Sequence, residues 1–457
     1  MLLMHRAFAS CTYIFIITIL TIGYPQGWLM ALSVNRLSSN PSSINRRWWL
    51  AFGIYMNDIN NIFFELIRVA IGNAECLSHT PTNAEWMQLY ELAKKQSLVG
   101  ICFAGVQKLT IHHSSLIVNL SESLRLQWMG MAAKIQQRNE IVNRQCVEVQ
   151  KRIEADGFRT FIMKGQGNAA LYRVVSSGSK EFQVSGGSSL SGLRQSGDID
   201  VYLEGGFENV NAFVQRTHPT NEINELEIHY HCLPDTEVEI HYRPFILRNP
   251  IKNARLQRFF NEAMRFDNKL DLPNGVGSIN VPTAEFNLVH QMVHIAHHLF
   301  TEGIGFRQLM DYFFVVLSID KEVQKFQIVS EVQRVVDDLG LNRFASALMW
   351  VLGHVFEGNN HLKPAEGFET LKPFETASWM LWKPREKDGK MLLEEILKSG
   401  NFGRQDETKA DLRNKWKSFW YVNGKTFRFW RFDRLAWFWS PLWRVYHFAW
   451  RKINGYK

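Results

Sequence analysis

From Arg159 to Tyr242 the sequence abandons helical spacing for short β-type runs, and this change limits what the chain can build. The runs are Arg159–Met163 (RTFIM), Asp198–Leu203 (DIDVYL), Glu227–Cys232 (EIHYHC) and Glu237–Tyr242 (EVEIHY). The last three alternate. Alternation places successive side chains on opposite faces of an extended chain, so each reads as a strand with one packed face. Leu233-Pro234-Asp235-Thr236 is turn chemistry, and the last two strands read as a hairpin.

Helical sequence flanks these runs. Ile62, Phe63, Leu66, Ile67 and Val69-Ala70 form one stripe, and Trp86, Leu89, Tyr90, Leu92 and Ala93 a second, with Pro81 and Asn83 between them. A longer helix is expected from about Leu124 to Arg152. Beyond residue 280, Thr283 is a cap candidate for a helix over 283–300, and helices are expected over 307–318, 322–338 and 341–356. Ser440-Pro441 reads as a cap and first-turn proline, opening a helix that ends near Gly455. Asn423-Gly424 reads as a hairpin turn or a helix C-cap. The expected fold class is α+β. A small mixed-sheet core over 151–280 is flanked by an N-terminal helical region (57–150) and a C-terminal helical domain with a basic-aromatic tail (281–457). Residues 1–56 hold an apolar segment and a linker outside that plan. Residues 176–192 have 11 Ser or Gly in 17, and read as a tolerated insertion first and a mobile lid second.

The formal charge of +8 is unevenly placed. Residues 401–457 hold 13 Lys+Arg and 4 Asp+Glu, a balance of +9, and 7 of the 15 Trp. The body is therefore neutral, which disfavours nucleic-acid binding over the whole surface. The five cysteines are scattered without a CxxC pair, so a disulfide scaffold and a structural zinc site are poorly supported.

The sharpest chemical feature is Gly197-Asp198-Ile199-Asp200-Val201. Two carboxylates two residues apart on a strand share a face and can ligate the same hard cations. Taken alone, the pair also fits solvated acids on an edge strand. Upstream, Lys164-Gly165-Gln166-Gly167 reads as a tight turn between strand and helix. Such a turn lets backbone N–H groups approach phosphates, and Lys164 adds a mobile positive charge. Taken alone, it also fits an ordinary strand-to-helix turn. Downstream, Glu239 offers a third carboxylate on an alternating strand.

Lys164-Gly165, Arg194-x-x-Gly197-Asp198-Ile199-Asp200 and Val238-Glu239-Ile240-His241-Tyr242, in that order, resemble the nucleotidyltransferase superfamily with the DNA polymerase beta-like fold. They look more closely like a poorly characterised bacterial branch of it. The flanking helices extend the resemblance through His290-x3-His294 and Gly305-Phe306-Arg307-Gln308-Leu309-Met310-Asp311. The resemblance implies a nucleotidyltransferase core. Asp198 and Asp200 would bind Mg2+ or Mn2+, Glu239 would complete the metal site, and Lys164 and Arg194 would contact phosphate. Gly165, Gly167 and Gly197 belong to the same nucleotide-binding expectation. The sequence departs from the superfamily in having Lys-Gly where Gly-Ser usually stands. The implied reaction moves a nucleotidyl group from a nucleoside triphosphate such as ATP to an acceptor that the sequence does not identify, releasing pyrophosphate. The alternatives are a non-catalytic binding or regulatory protein on the same fold, and a membrane-surface enzyme of polysaccharide assembly.

If the hairpin pairs as expected, His229 faces Glu239 and His241 faces Glu227, either tuning the third acid or forming ordinary cross-strand charge pairs. His290, His294, His297 and His298 share one helix face, which reads as a packed face or as substrate contacts. Arg307 and Asp311, spaced i,i+4, read as a structural ion pair, and their match to the family pattern makes an active-site wall the second reading. The tail reads first as a helical pair closing the last domain with Trp inward and Arg outward. A membrane-surface contact comes second and base stacking third. A triphosphate donor implies a cytoplasmic site. The apolar run over 13–24 then reads as upstream of a later start at Met30 or Met56, against a signal peptide or a membrane anchor.

Overall fold

The structure is a computed structural model that describes residues 59–172, 190–265, 268–319, 325–357, 382–400 and 415–456. The apolar run at 13–24, the following linker and most of the Ser/Gly-rich stretch lie outside the described residues. No described helix is long and apolar enough to cross a membrane.

Helix α1 (59–71) buries the first stripe, including Ile62, Phe63, Leu66 and Ile67. Helix α2 (Asn83–Lys95) is opened by a reciprocal cap: Thr82 Oγ1 accepts from Glu85 N–H at 3.3 Å, and Glu85 Oε2 accepts from Thr82 N–H at 2.8 Å. Helix α3 (Val99–His112) is apolar on most sides and is buried accordingly. Helix α4 (Glu122–Ala155) has 34 residues, about 50 Å at 1.5 Å per residue, and serves two cores. Near its start Trp128 packs edge-on against Trp86 and donates its indole N–H to the Val99 carbonyl at 2.9 Å. Near its end Val142, Cys146, Val149 and Ile153 join the core beneath the sheet.

That sheet runs β1 (Thr160–Ile162), β2 (Ile199–Leu203), β4 (Val238–His241), β3 (Glu227–His229). β1 is antiparallel to β2, β2 is parallel to β4, and β3 is antiparallel to β4. All of β2 is buried, as a central strand covered on both faces must be. Between β1 and the single-turn helix α5 (Gln166–Ala169) lies the Lys-Gly turn, while α6 (Gly206–Thr217) connects β2 to the hairpin. Helix α7 (Pro250–Ala263) and a separate hairpin, β5 (Asn268–Asp271) with β6 (Ser278–Val281), follow. The β5–β6 hairpin is not among the strands expected from the sequence, because its outward residues are polar and its apolar alternation is only Leu270, Ile279 and Val281.

The helices after it are α8 (Ala284–Thr301), α9 (Phe306–Ile319), α10 (Lys325–Asp338), α11 (Asn342–Leu352) and α12 (Glu386–Ser399). Thr283 caps α8 as expected, accepting from Phe286 N–H at 3.4 Å. These helices share one apolar core with the N-terminal ones: Phe64 meets Phe306 edge-on at 5.6 Å, and Arg68 donates to the carbonyls of His354 and Val355.

The chain closes with α13 (Lys415–Arg428) and α14 (Ala436–Asn454). Three local expectations change here. Asn423-Gly424 lies inside α13, neither turn nor cap. Helix α14 starts at Ala436 and carries Pro441 inside its second turn, where only one intrahelical hydrogen bond is forfeited. Its end is as expected, with Gly455 left-handed at φ 72°. Arg428, Arg431 and Arg434 do face outward, but the pair is not Trp inward: Phe429 and Phe432 fill the core beside Phe300, while Trp420, Trp430 and Trp437 stay exposed.

Candidate active site

The parallel pairing of β2 and β4 sets Asp200 directly beside Glu239. The antiparallel pairing of β3 and β4 sets Glu227 opposite His241 and His229 opposite Glu239. Ile199, Val201, Ile228, Val238 and Ile240 alternate with these residues and pack into the core beneath, so the polar set is driven to the other face. There His241 Nε2 stands 3.2 Å from Asp200 Oδ1, 3.1 Å from Glu227 Oε2 and 3.9 Å from Glu239 Oε2. Lys164 reaches in from the turn after β1, its Nζ 2.7 Å from Asp200 Oδ1 and 3.3 Å from His294 Nε2. Asp198 sits one residue before β2 and lines the same cleft.

The local electrostatics separate the acids. Burial opposes ionisation of Asp200, but Lys164 and His241 outweigh it and hold its pKa below the usual carboxylate range. Burial also acts on Glu239, and the neighbouring Asp200 and Glu227 charges reinforce it, so Glu239 is pushed well above its ordinary value. Asp198 is raised by burial and by Asp200. Burial works against the Lys164 ammonium, yet Asp200, Glu239 and Glu227 raise its pKa overall. Along α8, burial followed by the Lys164 charge pushes His290 down to about 3 and lowers His294 strongly, so both are neutral rings at pH 7. His290 Nε2 lies 3.1 Å from the Pro244 carbonyl, and His294 and His298 meet at 3.1 Å.

Two guanidiniums flank the acids and differ in commitment. Arg194 forks onto Asp311 through two bonds of 2.7 Å, and the Tyr172 hydroxyl donates to the same carboxylate at 2.8 Å. The i,i+4 reading that paired Arg307 with Asp311 is therefore replaced: the long-range fork from Arg194 saturates both carboxylate oxygens. Arg307 instead gives one bond, 3.1 Å to the Gln195 carbonyl, and lies against Gly197, where an added Cβ would stand 3.4 Å from its Nη1. Its Nε is buried without a partner among the described residues. Burial and then Arg194 lower its pKa to about 10, so it remains a cation at neutral pH.

The Lys-Gly turn needs its first glycine. Gly165 has φ 61°, a left-handed conformation that side chains resist. The phosphate-cradle reading of this turn weakens, because α5 has only four residues and so a short run of aligned peptide dipoles. Gly167 also differs from expectation. An added Cβ there would meet Val281 at 3.3 Å and the Ile162 carbonyl at 3.4 Å, so this glycine permits close packing and does not line the cleft. His229 is likewise absent from the cleft lining and pairs with Glu237 at 2.5 Å.

The remaining expected residues come together. Lys164, Gly165, Arg194, Gly197, Asp198, Asp200, Glu239, His241, His294, Arg307 and Asp311 all line one cleft of about 520 Å3. Glu227, expected to face His241, holds it from the far side at 3.1 Å. Two supporting residues had not been singled out. Asn168 accepts from Gln291 at 3.0 Å and ties the turn to α8, and Tyr172 orients Asp311; nothing local in the sequence marks either.

Two groups among the described residues could hold a metal ion: Asp200, Glu239 and His241, and Glu227, His229 and Glu239. The donor set fits a divalent cation, since several carboxylates converge on one point with an imidazole beside them. The Lys164 ammonium already supplies positive charge there, which shows that this point favours a cation.

Residues 190–357 match the model of a family described as uncharacterised nucleotidyltransferase. No curated protein and no solved structure matches the chain. The matched segment includes Arg194, Asp198, Asp200, Glu239, His241, His294, Arg307 and Asp311, so it carries most of the cleft and supports a nucleotidyl-transfer role for it.

Proposed function

We propose that the cleft binds a nucleoside triphosphate with Mg2+ or Mn2+ and transfers its nucleotidyl group to an acceptor hydroxyl, releasing pyrophosphate. The observation that carries this reading is the side-by-side placement of Asp200 and Glu239 on parallel strands, with Asp198 and Lys164 in the same cleft. Asp198, Asp200 and Glu239 would hold the divalent ion, which when bound neutralises phosphate oxygens. In the transfer, the acceptor oxygen bonds to the α-phosphorus, the bond from that phosphorus to the bridging oxygen breaks, and pyrophosphate leaves. Held ionised by the divalent ion, Glu239 would be the carboxylate that takes the acceptor's proton. Lys164 and Arg307 supply fixed positive charge toward the triphosphate. Arg194 acts one step back, holding Asp311 and the cleft wall.

The test is product analysis by mass spectrometry after incubating the full chain with each triphosphate, Mg2+ or Mn2+, and a cell lysate. A mass addition equal to a nucleoside monophosphate, absent in Asp198→Ala/Asp200→Ala, is expected. Metal-dependent triphosphate binding without any product would make the protein a binding module, and neither binding nor turnover would refute the reading.

A further inference from the structure

The α13–α14 pair presents an apolar face that no described part of the chain covers. On α14, Trp437, Phe438, Val445, Tyr446, Phe448 and Ile453 are between 37% and 83% exposed. At about 100° per residue these positions cover roughly half the helix circumference. The face continues across the turn through Phe427, whose ring meets Trp437 edge-on at 6.1 Å.

Among the described residues of α13, α14 and their turn, the exposed charges have one sign. Arg431 and Arg434 are exposed in the turn, and Lys452 is exposed on the face itself. The acid of the turn, Asp433, faces inward and bonds Lys252 at 2.9 Å. Aromatic residues at a rim of arginine and lysine suit the headgroup zone of a bilayer, where rings and alkyl stems enter the apolar layer and cations stay with phosphate.

Other occupants fit less well. A nucleic acid would need planar groups and cations through the contact, whereas Val445 in its middle and Ile453 at its far end cannot stack on bases. A two-fold pairing of two copies would bring Arg431, Arg434 and Lys452 toward their own counterparts without acids on the face to meet them. We propose that this helical pair seats the protein on an anionic lipid surface, with α14 lying in the plane of the headgroups.

The experiment is flotation of the full chain with phosphatidylcholine vesicles, with and without phosphatidylglycerol. Two variants accompany it: Val445→Ser/Phe448→Ser on the apolar face, and Arg431→Glu/Arg434→Glu on the rim. Unchanged thermal unfolding serves as the check that each variant is folded. The expected result is flotation that needs phosphatidylglycerol and falls about tenfold or more in both variants. No flotation overturns the proposal. So does flotation unchanged in folded variants, which would place the attachment elsewhere. Self-association or RNA retention that the variants abolish, without vesicle binding, also overturns it and assigns the face to a second copy or to a polyanion.

Discussion

Arg194 and Asp311, 117 residues apart in the chain, form a buried two-bond fork with both contacts at 2.7 Å. This pair fastens the segment leading into β2 to helix α9, and so sets the wall of the cleft opposite the hairpin. Burial lowers the pKa of Arg194, but Asp311 more than compensates and raises it. Removing one partner strands the other charge in the interior. Arg194→Ala and Asp311→Ala are each expected to destabilise the protein by about 3–5 kcal/mol, measured by urea denaturation. A double variant less costly than the sum of the two would show their coupling.

Arg307 separates from Arg194 in its expected effect. Among the described residues its guanidinium makes one bond to a carbonyl and keeps a buried Nε without a partner beside Gly197. Arg307→Ala is expected to weaken triphosphate binding by about 10- to 100-fold, corresponding to one charge-assisted hydrogen bond. Titration calorimetry with and without Mg2+ checks this. An affinity equal to the parent's would remove Arg307 from the phosphate contacts.

Asp200→Asn keeps the shape of its side chain and removes the charge that Lys164 and His241 share. Turnover is expected to fall by about 100-fold or more, as for loss of a preorganised charged group at a reacting centre. Steady-state kinetics with the acceptor identified by mass spectrometry would measure it. Chelation of divalent ions should abolish turnover in the parent, with recovery on adding Mg2+ or Mn2+.

Glu239 predicts a pH effect on stability in the absence of divalent ions. Burial and the adjoining Asp200 charge raise its pKa from the ordinary 4.5 to about 9. The folded protein therefore holds this proton longer than the unfolded chain. The stabilisation is full below pH 4.5 and declines as the pH rises toward 9. Glu239→Gln should flatten that decline, read as the unfolding temperature against pH in chelator-treated buffer. A slope equal to the parent's would place the titrating group elsewhere.

Much of the site was legible locally. The alternation in Asp198–Leu203, Glu227–Cys232 and Glu237–Tyr242 is a property of neighbouring residues, and it assigns Asp200, Glu239, His241 and Glu227 to faces before any fold is known. Thr283 marks the start of α8 for the same reason, since a cap is a contact within one turn. Where the expectations failed, two local patterns competed and a distant partner chose between them. Arg307 and Asp311 had the right spacing for an ion pair, but Arg194 arrived from another element with better geometry. Gly167 had the setting of a phosphate turn, but Val281 lies against it.

From the chain alone follow the α+β class, the polar face of the strands and the neutral body with its basic-aromatic tail, because each depends on period, composition or a contact a few residues long. Folding in three dimensions added the parallel register that places Asp200 beside Glu239, the reach of Lys164 to both Asp200 and His294, and the partner of Asp311. It also turned Phe429 and Phe432 inward while leaving the neighbouring tryptophans exposed. These relations join residues tens to hundreds of positions apart, and their energies come from burial and charge at sites that exist only after the elements have packed.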